Sequence, residues 1–204
     1  TGLGDALIEL GLRYDSDEGR AMAARIAEAM RDASYRSSVA LAAEKGPFPK
    51  FDADAYLSAP RFASRLPDDV KASIREHGIR NSHLLSIAPT GTISLAFADN
   101  ASNGIEPPFS WFYKRRKRMP DDSMKEFLVE DHAYRAFKQL HGLSDDVEMV
   151  PFDAAANRAP GEAWTDGDGR RRAMLSPAFV NALEMSALDH MRMSAAVQPY
   201  VDTA

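Results

Sequence analysis

The chain of 204 residues contains no cysteine. This absence excludes disulfide bonds, thiolate zinc sites and thiol nucleophiles from the chain itself. No stretch approaches the roughly 18 consecutive apolar residues that a membrane-spanning helix needs, and no basic-then-apolar signal segment opens the chain. We therefore predict a cytoplasmic protein without a membrane partner.

The chain also lacks an excess of basic over acidic residues. The chain carries 25 basic and 30 acidic residues, which gives a formal net charge of −5. Such a balance gives no general electrostatic attraction for nucleic acid, and we predict no nucleic-acid partner. With 45% hydrophobic and 27% charged residues, the composition is typical of a globular domain with a core.

Several catalytic patterns are missing as well. No HExxH string is present, and His132, His141 and His190 do not follow the i, i+4 spacing of helical metal ligands. No G-x-S-x-G elbow accompanies a serine, and no Walker lysine follows a glycine-rich loop. The sequence therefore predicts no metal site and no catalytic residue within this chain.

The most informative stretch that is present runs from His83 to Ser94. Its first six residues predict a short apolar strand, followed by a tight turn and a helix start. The turn consists of Pro89, Thr90, Gly91, Thr92 and Ile93. Free amides, hydroxyls and the absence of an acidic side chain are what a phosphate group requires. An ordinary strand-to-helix turn is the alternative interpretation.

A second string, Asn103-Gly104-Ile105-Glu106-Pro107-Pro108, follows shortly afterwards. Ser94, Asn103 and Glu106 are candidates for shaping a pocket beside the turn. The structural alternative is that Asn-Gly forms a turn that Glu106 braces. For Glu106 we favour this alternative, because the following proline restricts its backbone.

Together, the two strings resemble the substrate-binding region of the ribonucleotide reductase large subunit. The Pro-Thr-Gly-Thr form resembles the adenosylcobalamin-dependent, or class II, branch. Other parts of the chain resemble the family in the same order, and the resemblance is weakest between residues 145 and 172. These parts are Gly2 to Leu7, Leu12 to Ser16, Val129 to Ala133 and Ala195 to Asp202.

The resemblance implies an oxidoreductase that reduces ribonucleoside diphosphates, or triphosphates, to 2'-deoxyribonucleotides by radical chemistry. In that family adenosylcobalamin starts the radical and cysteines carry it and supply electrons. Because this chain has no cysteine, we interpret it as an inactive part of a longer enzyme. Its share would be to bind the substrate diphosphate at residues 89–93. Its partners would be that substrate and the rest of the parent chain, and a homo-oligomer is left open.

The predicted fold is α+β, predominantly helical with a small sheet, and by resemblance part of a ten-stranded α/β barrel. We expect one domain over residues 1–204, with a variable or disordered loop at 145–172. Capping residues and glycine or proline stops set the predicted elements. The helices lie at 5–12, 17–43, 52–57, 67–78, 132–141 and 186–204 with a short one from Ser176, and the strands at 83–88, 109–117 and 124–129.

The strongest charge run is Lys114-Arg115-Arg116-Lys117-Arg118, preceded by three aromatic residues. Aromatic and basic residues together suggest single-stranded nucleic acid. The alternative, favoured by the acidic net charge, is a surface strand whose side chains pair with Asp121, Asp122 and Glu126. Two other functions stay open. One is a non-enzymatic helical interaction module that uses residues 114–118, and the other is a different phosphate-binding enzyme.

Overall fold

The computed structural model describes residues 1–203 of the chain. The helices are α1 (Leu3–Glu9), α2 (Asp17–Lys45), α3 (Ala53–Leu57), α4 (Asp68–His77), α5 (Gly91–Phe97), α6 (His132–Leu140) and α7 (Ala187–Val197). The strands are β1 (Phe112–Arg118), β2 (Met124–Glu130), β3 (Glu148–Val150), β4 (Ala163–Thr165) and β5 (Arg171–Met174). Single turns of 3₁₀-helix lie at Phe62–Arg65, Ala154–Ala156, Ala182–Glu184 and Gln198–Tyr200.

The chain divides into two compact units. The first unit contains residues 1–20 and 89–193, and the second contains residues 21–88 and the chain from Ser194 onward. The predicted α+β class and its predominance of helix are confirmed. The described residues form no closed barrel, and whether the whole chain behaves as one domain stays a prediction.

Local sequence signals set most helix boundaries. Helix α2 starts with two acidic residues in its first turn and ends before Gly46, close to the predicted bounds. Helix α4 ends at Gly78, whose φ is 75°. A Cβ at Gly78 would lie 2.7 Å from Pro47, so the glycine is needed for both backbone and packing. In residues 1–203, no helix is long and apolar enough to cross a bilayer.

The second unit is built on one apolar core. Val70 and Ile74, one turn apart on α4, face this core. The other members come from α2, α3 and the loops around them. They are Tyr35, Val39, Leu57, Ala63, Leu66 and Ile79.

The strand predicted for residues 83–88 is wrong for the described residues. The structure has only one isolated parallel bridge there, between Ser86 and Thr203. Asp202 holds the neighbouring backbone, because its carboxylate accepts hydrogen bonds from the amides of Leu84 and Leu85 and from the Tyr35 hydroxyl at 2.7–2.9 Å. A ladder needs a neighbouring strand, and the described chain provides only this single bridge.

The first unit contains two sheets. Strands β1 and β2 form an antiparallel hairpin, as predicted. In the other sheet the order is β3-β5-β4, with β3 parallel to β5. Strands β3 and β4 lie within the segment 145–172 and β5 begins at its end, and whether that segment varies or becomes disordered stays a prediction.

Two helix predictions near the end of the chain are wrong. Ser176 and Pro177 form a turn, closed by a hydrogen bond from the Phe179 amide to the Ser176 carbonyl, and the following residues Ala178 and Val180 are buried within the fold. Helix α7 ends at Val197, because Pro199 follows and the backbone tightens into a 3₁₀ turn. Residue 204 lies outside the described residues.

Candidate functional site

The Pro89–Ile93 segment, called the phosphate turn below, leads into helix α5. Thr90 is the N-cap of this helix, and its φ of 49° lies in the left-handed region. A β-branched residue rarely adopts this conformation, which costs about 1–2 kcal/mol. Strain of this kind persists only where neighbouring contacts enforce it, and it is concentrated at functional sites.

The phosphate turn contains backbone amides without a hydrogen-bond acceptor among residues 1–203. Ser94 donates its amide to the Thr90 carbonyl at 2.8 Å. Within residues 1–203, the amides of Gly91, Thr92 and Ile93 donate no hydrogen bond. First-turn amides have no partner inside their own helix. Thr92 and Ile93 are exposed, so an oxyanion can reach these three donors from solvent.

Thr90 also connects the turn to the second string. Its hydroxyl oxygen accepts a hydrogen bond from the buried amide of Gly104 at 2.8 Å, and the Thr1 hydroxyl donates to it as well. A hydroxyl group has one hydrogen to donate. The side chain can therefore brace the turn and still donate one hydrogen bond to a ligand.

Ser94 makes the second connection between the two strings. Its side chain is buried, and its Oγ lies 2.7 Å from Asn103 Oδ1 and 3.0 Å from the Gly91 carbonyl. The Glu106 amide donates to the Asn103 carbonyl at 2.8 Å and closes the Asn-Gly turn. The structure thus brings Thr90, Ser94 and Asn103 together. The Glu106 carboxylate is exposed and accepts no hydrogen bond from the described residues.

Helix α1 supports the second string from behind. A Cβ at Gly4 would lie 2.7 Å from the Glu106 carbonyl oxygen and 2.8 Å from Pro107 Cα. The Tyr14 hydroxyl donates to the Ile105 carbonyl at 2.7 Å. The backbone behind the phosphate turn is therefore fixed by close contacts rather than by surface charges.

Gly91, unlike Gly4, has open space where a Cβ would lie. A Cβ at Gly91 would meet no atom within 4 Å, and its φ is not in the left-handed region. Neither backbone conformation nor packing within residues 1–203 requires glycine at this position. The space beside the Gly91 backbone is therefore open to an approaching group.

The basic run lies on β1, and the surface-strand interpretation is confirmed. Arg116 pairs with Glu126 at 2.8 Å, and Arg118 pairs with Asp122 at 3.0 Å. Asp121 binds Ser123 instead of a cation.

The histidines have structural surroundings. Nδ1 of His132 lies 3.0 Å from Asp99, and its Nε2 lies 3.4 Å from Glu9. The His141 ring packs on Phe137. In the described part of the chain, no group of three or more metal-binding side chains comes together.

Sequence reasoning missed a pair of buried carboxylates. Asp5 is buried in α1, and its Oδ1 has no hydrogen-bond partner among the described residues. Asp131 caps α6 by accepting the Tyr134 amide and is equally buried. Burial and the nearby charge of Asp5 raise the pKa of Asp131 to about 8. Only the cap was visible in the sequence.

Comparisons with known proteins place this geometry in context. The family model described as "Ribonucleotide reductase, barrel domain" matches residues 1–204. The vitamin B12-dependent ribonucleotide reductase of Streptomyces coelicolor is 30% identical over 235 residues, which cover 99% of this chain and 23% of that protein. The vitamin B12-dependent ribonucleoside-diphosphate reductase of Mycobacterium tuberculosis is 31% identical over 204 residues, which cover 100% and 25%.

A relative whose name does not mention vitamin B12 also matches. The ribonucleoside-diphosphate reductase large chain of Encephalitozoon cuniculi is 35% identical over 140 residues, which cover 64% of this chain and 18% of that protein. The chain spans about a quarter of the length of the vitamin B12-dependent relatives described above.

Proposed function

Because the chain belongs to the ribonucleotide reductase barrel-domain family, we propose that it is part of an enzyme that reduces ribonucleoside diphosphates to 2'-deoxyribonucleotides. Its share in that reaction is to hold the substrate diphosphate on the phosphate turn. Relatives named as vitamin B12-dependent reductases match the chain over nearly its whole length, which supports adenosylcobalamin as the cofactor of the parent enzyme.

The residues of this chain do not themselves fit the cofactor's chemistry. Adenosylcobalamin supplies a carbon-centred radical, which in this family passes to a cysteine thiol. The chain contains no cysteine, so we assign no radical step to it. We expect the isolated chain to be catalytically inactive, with the rest of the parent protein as its obligatory partner.

The free amides of the phosphate turn support diphosphate binding. Gly91, Thr92 and Ile93 present three donors at the start of α5, with no internal hydrogen bond among the described residues. Neighbouring backbone amides bind an oxyanion without themselves titrating, and the turn carries no acidic side chain to repel it. The Thr92 hydroxyl is exposed and can add a fourth donor.

The second string gives the turn a fixed shape. Thr90 is held in its left-handed conformation by the Gly104 amide, and Ser94 is held by Asn103. A site that is already in its binding conformation loses little entropy on binding. Holding the diphosphate in one place would orient the ribose toward the radical, and orientation of reactants contributes several kcal/mol, on the order of the known effective-molarity gains.

The single observation that carries the proposal is the set of unpaired amides at Gly91, Thr92 and Ile93 in residues 1–203, and Gly91 is where it can be tested. The fold tolerates a Cβ there, since it would meet nothing within 4 Å, whereas a bound phosphate in contact with the backbone would not. Gly167 is the matched control, because a Cβ there also meets nothing within 4 Å and its φ is not left-handed.

The test is a titration of the isotope-labelled chain with a ribonucleoside diphosphate, followed by amide NMR signals. We expect the signals of Gly91, Thr92 and Ile93 to shift and saturate. Gly91→Asp should abolish the shifts, because it adds bulk and negative charge at the proposed phosphate position. Gly167→Asp adds the same charge elsewhere and should leave them unchanged.

Two outcomes contradict the proposal. Equal binding by the Gly91→Asp variant would mean that the phosphate lies elsewhere. Saturation by ribose 5-phosphate but not by nucleoside diphosphates would favour a different phosphate-binding enzyme.

The finer fold assignment belongs to the same proposal. In a ten-stranded barrel, residues 83–88 would be a full strand that pairs with strands outside this chain. The isolated bridge at Ser86 is consistent with such an incomplete ladder. In the parent protein we expect protection of the amides of residues 83–88 from hydrogen exchange, and rapid exchange there would contradict the barrel assignment.

A further inference from the structure

The β1–β2 hairpin is exposed to an unusual degree. All seven residues of β1 are exposed, as are five of the seven residues of β2. A two-stranded ribbon that buries little apolar surface is marginally stable in water. This hairpin therefore presents both faces and both outer edges to a partner.

One face of the ribbon carries an uncompensated charge. Alternate residues share a face, and the register places Lys117 directly opposite Lys125 and Arg115 opposite Phe127. We call this face the cationic face. Its members are Tyr113, Arg115, Lys117, Lys125, Phe127 and Val129.

The two faces differ in how their cations are paired. Arg116 and Arg118, on the opposite face, have carboxylate partners at 2.8 and 3.0 Å, whereas Lys114 on that face has none within the described chain. Within the described chain, Arg115, Lys117 and Lys125 form no ion pair. Lys125 lies over the Phe127 ring at 5.1 Å instead. Like charges directly across a ladder are destabilising, and an anion on this face would relieve that repulsion.

The edges of the ribbon favour a polypeptide as the source of the anions. The sheet has two strands only, so each strand has an outer edge without a neighbouring strand among the described residues. Such an edge offers backbone donors and acceptors to an added strand. The sugar–phosphate backbone of DNA offers acceptors but no donors, so an extended polypeptide fits such an edge better.

We propose that the cationic face binds an acidic polypeptide segment in extended conformation, aligned along an edge of the hairpin. Acidic side chains of the segment pair with Arg115, Lys117 and Lys125. The aliphatic parts of its side chains contact Tyr113 and Phe127, each of which is 38% exposed. This surface is independent of the phosphate turn and does not rest on the proposed function.

The test measures binding of a labelled peptide of alternating glutamate and threonine by fluorescence anisotropy. We expect binding that weakens as salt rises, together with slower hydrogen exchange of hairpin amides. The charge-reversed variant Lys117→Glu/Lys125→Glu should bind about tenfold more weakly. The control Lys45→Glu/Lys50→Glu changes the net charge equally at exposed positions in the second unit and should keep the affinity.

Four results would overturn the proposal. The first two are equal peptide binding by the Lys117→Glu/Lys125→Glu variant and equal weakening in the Lys45→Glu/Lys50→Glu control. The third is that an oligothymidylate binds through Lys117 and Lys125 while the peptide does not bind. The fourth is self-association of the chain that the Lys117→Glu/Lys125→Glu variant abolishes. If circular dichroism shows that the charge-reversed variant is unfolded, Lys117→Gln/Lys125→Gln provides the same test with an expected weakening of about threefold.

Discussion

The phosphate turn and the β1–β2 hairpin both offer hydrogen-bond donors to anions, but they are built in opposite ways. In the turn the donors are neutral backbone amides, held in place by Thr90 and Ser94 through buried contacts. In the hairpin they are charged ends of long, exposed side chains. The turn therefore has a fixed geometry, whereas the hairpin has charge without fixed geometry.

This difference determines where substitutions should matter. Contacts that replace water in a packed interior cost several kcal/mol to disrupt, whereas exposed ion pairs contribute about 0–1 kcal/mol. We therefore expect stability to depend on the support behind the phosphate turn and hardly at all on the hairpin charges. Four measurements test this difference.

Among the substitutions compared at a single pH, Gly4→Ala should have the largest effect. The new Cβ would lie within 3 Å of the Glu106 carbonyl, Pro107 Cα and Pro108 Cδ, and backbone and proline atoms cannot swing away. We expect a loss of about 3 kcal/mol in the free energy of unfolding, measured by urea denaturation. Gly91→Ala, where the Cβ meets nothing, is the control. Equal stability of the two variants would mean that α1 does not support the second string.

The buried carboxylates should make stability depend on pH. Burial raises the pKa of Asp131 to about 8, and burial also raises the pKa of Asp5. Between about pH 4 and pH 8 the folded chain therefore holds a proton that the unfolded chain releases. The free energy of unfolding should fall as pH rises through this window, by about 1.4 kcal/mol per pH unit for one proton.

Asp131→Asn tests this pH dependence. Asparagine keeps the N-cap of α6 but cannot ionise, so the slope between pH 4 and pH 8 should flatten. Asp52→Asn, at the exposed N-cap of α3, is the control for capping and should keep the slope of the parent chain. Parallel stability curves for all three proteins would exclude a proton held at Asp131.

Thr90→Val should have an intermediate effect. Valine has the same shape but cannot accept the buried Gly104 amide, which would lose its partner. We expect a destabilisation of about 1–3 kcal/mol in thermal or urea unfolding. Thr90→Ser restores the hydroxyl and should recover most of this loss. A Thr90→Val variant as stable as the parent chain would show that the turn keeps its shape without this brace.

Sequence patterns predicted the parts of the fold that depend on neighbouring residues. Acidic caps, Gly46 and Gly78 marked the bounds of α2 and α4, and the Pro120–Ser123 cluster marked the hairpin turn. The strand predicted at 83–88 failed because a ladder depends on residues distant in sequence. The helix predicted at Ser176 failed because tertiary packing overrode a local start signal.

In the candidate site, too, features set by neighbouring residues could be predicted, whereas contacts with distant residues could not. The Pro-Thr-Gly-Thr pattern located the turn and its free amides in the sequence. The contacts that hold the turn could not be predicted from the sequence. Gly104 lies fourteen residues from Thr90, and its amide donates a hydrogen bond to the Thr90 hydroxyl, which the pattern marked as a donor to a ligand. The Asp5 carboxylate accepts a hydrogen bond from the amide of Ser102, which is 97 residues away, and no local sequence pattern indicates such a contact.

Glu126→Gln should have the smallest effect. It removes the partner of Arg116, but both side chains are exposed, so water and salt already screen the pair. We expect a change of about 0.5 kcal/mol or less in the free energy of unfolding, which disappears at high salt. A loss comparable to that of Thr90→Val, persisting in salt, would show that charge pairs hold the hairpin. The contrast between a geometrically fixed turn and a loosely held charged ribbon would then be wrong.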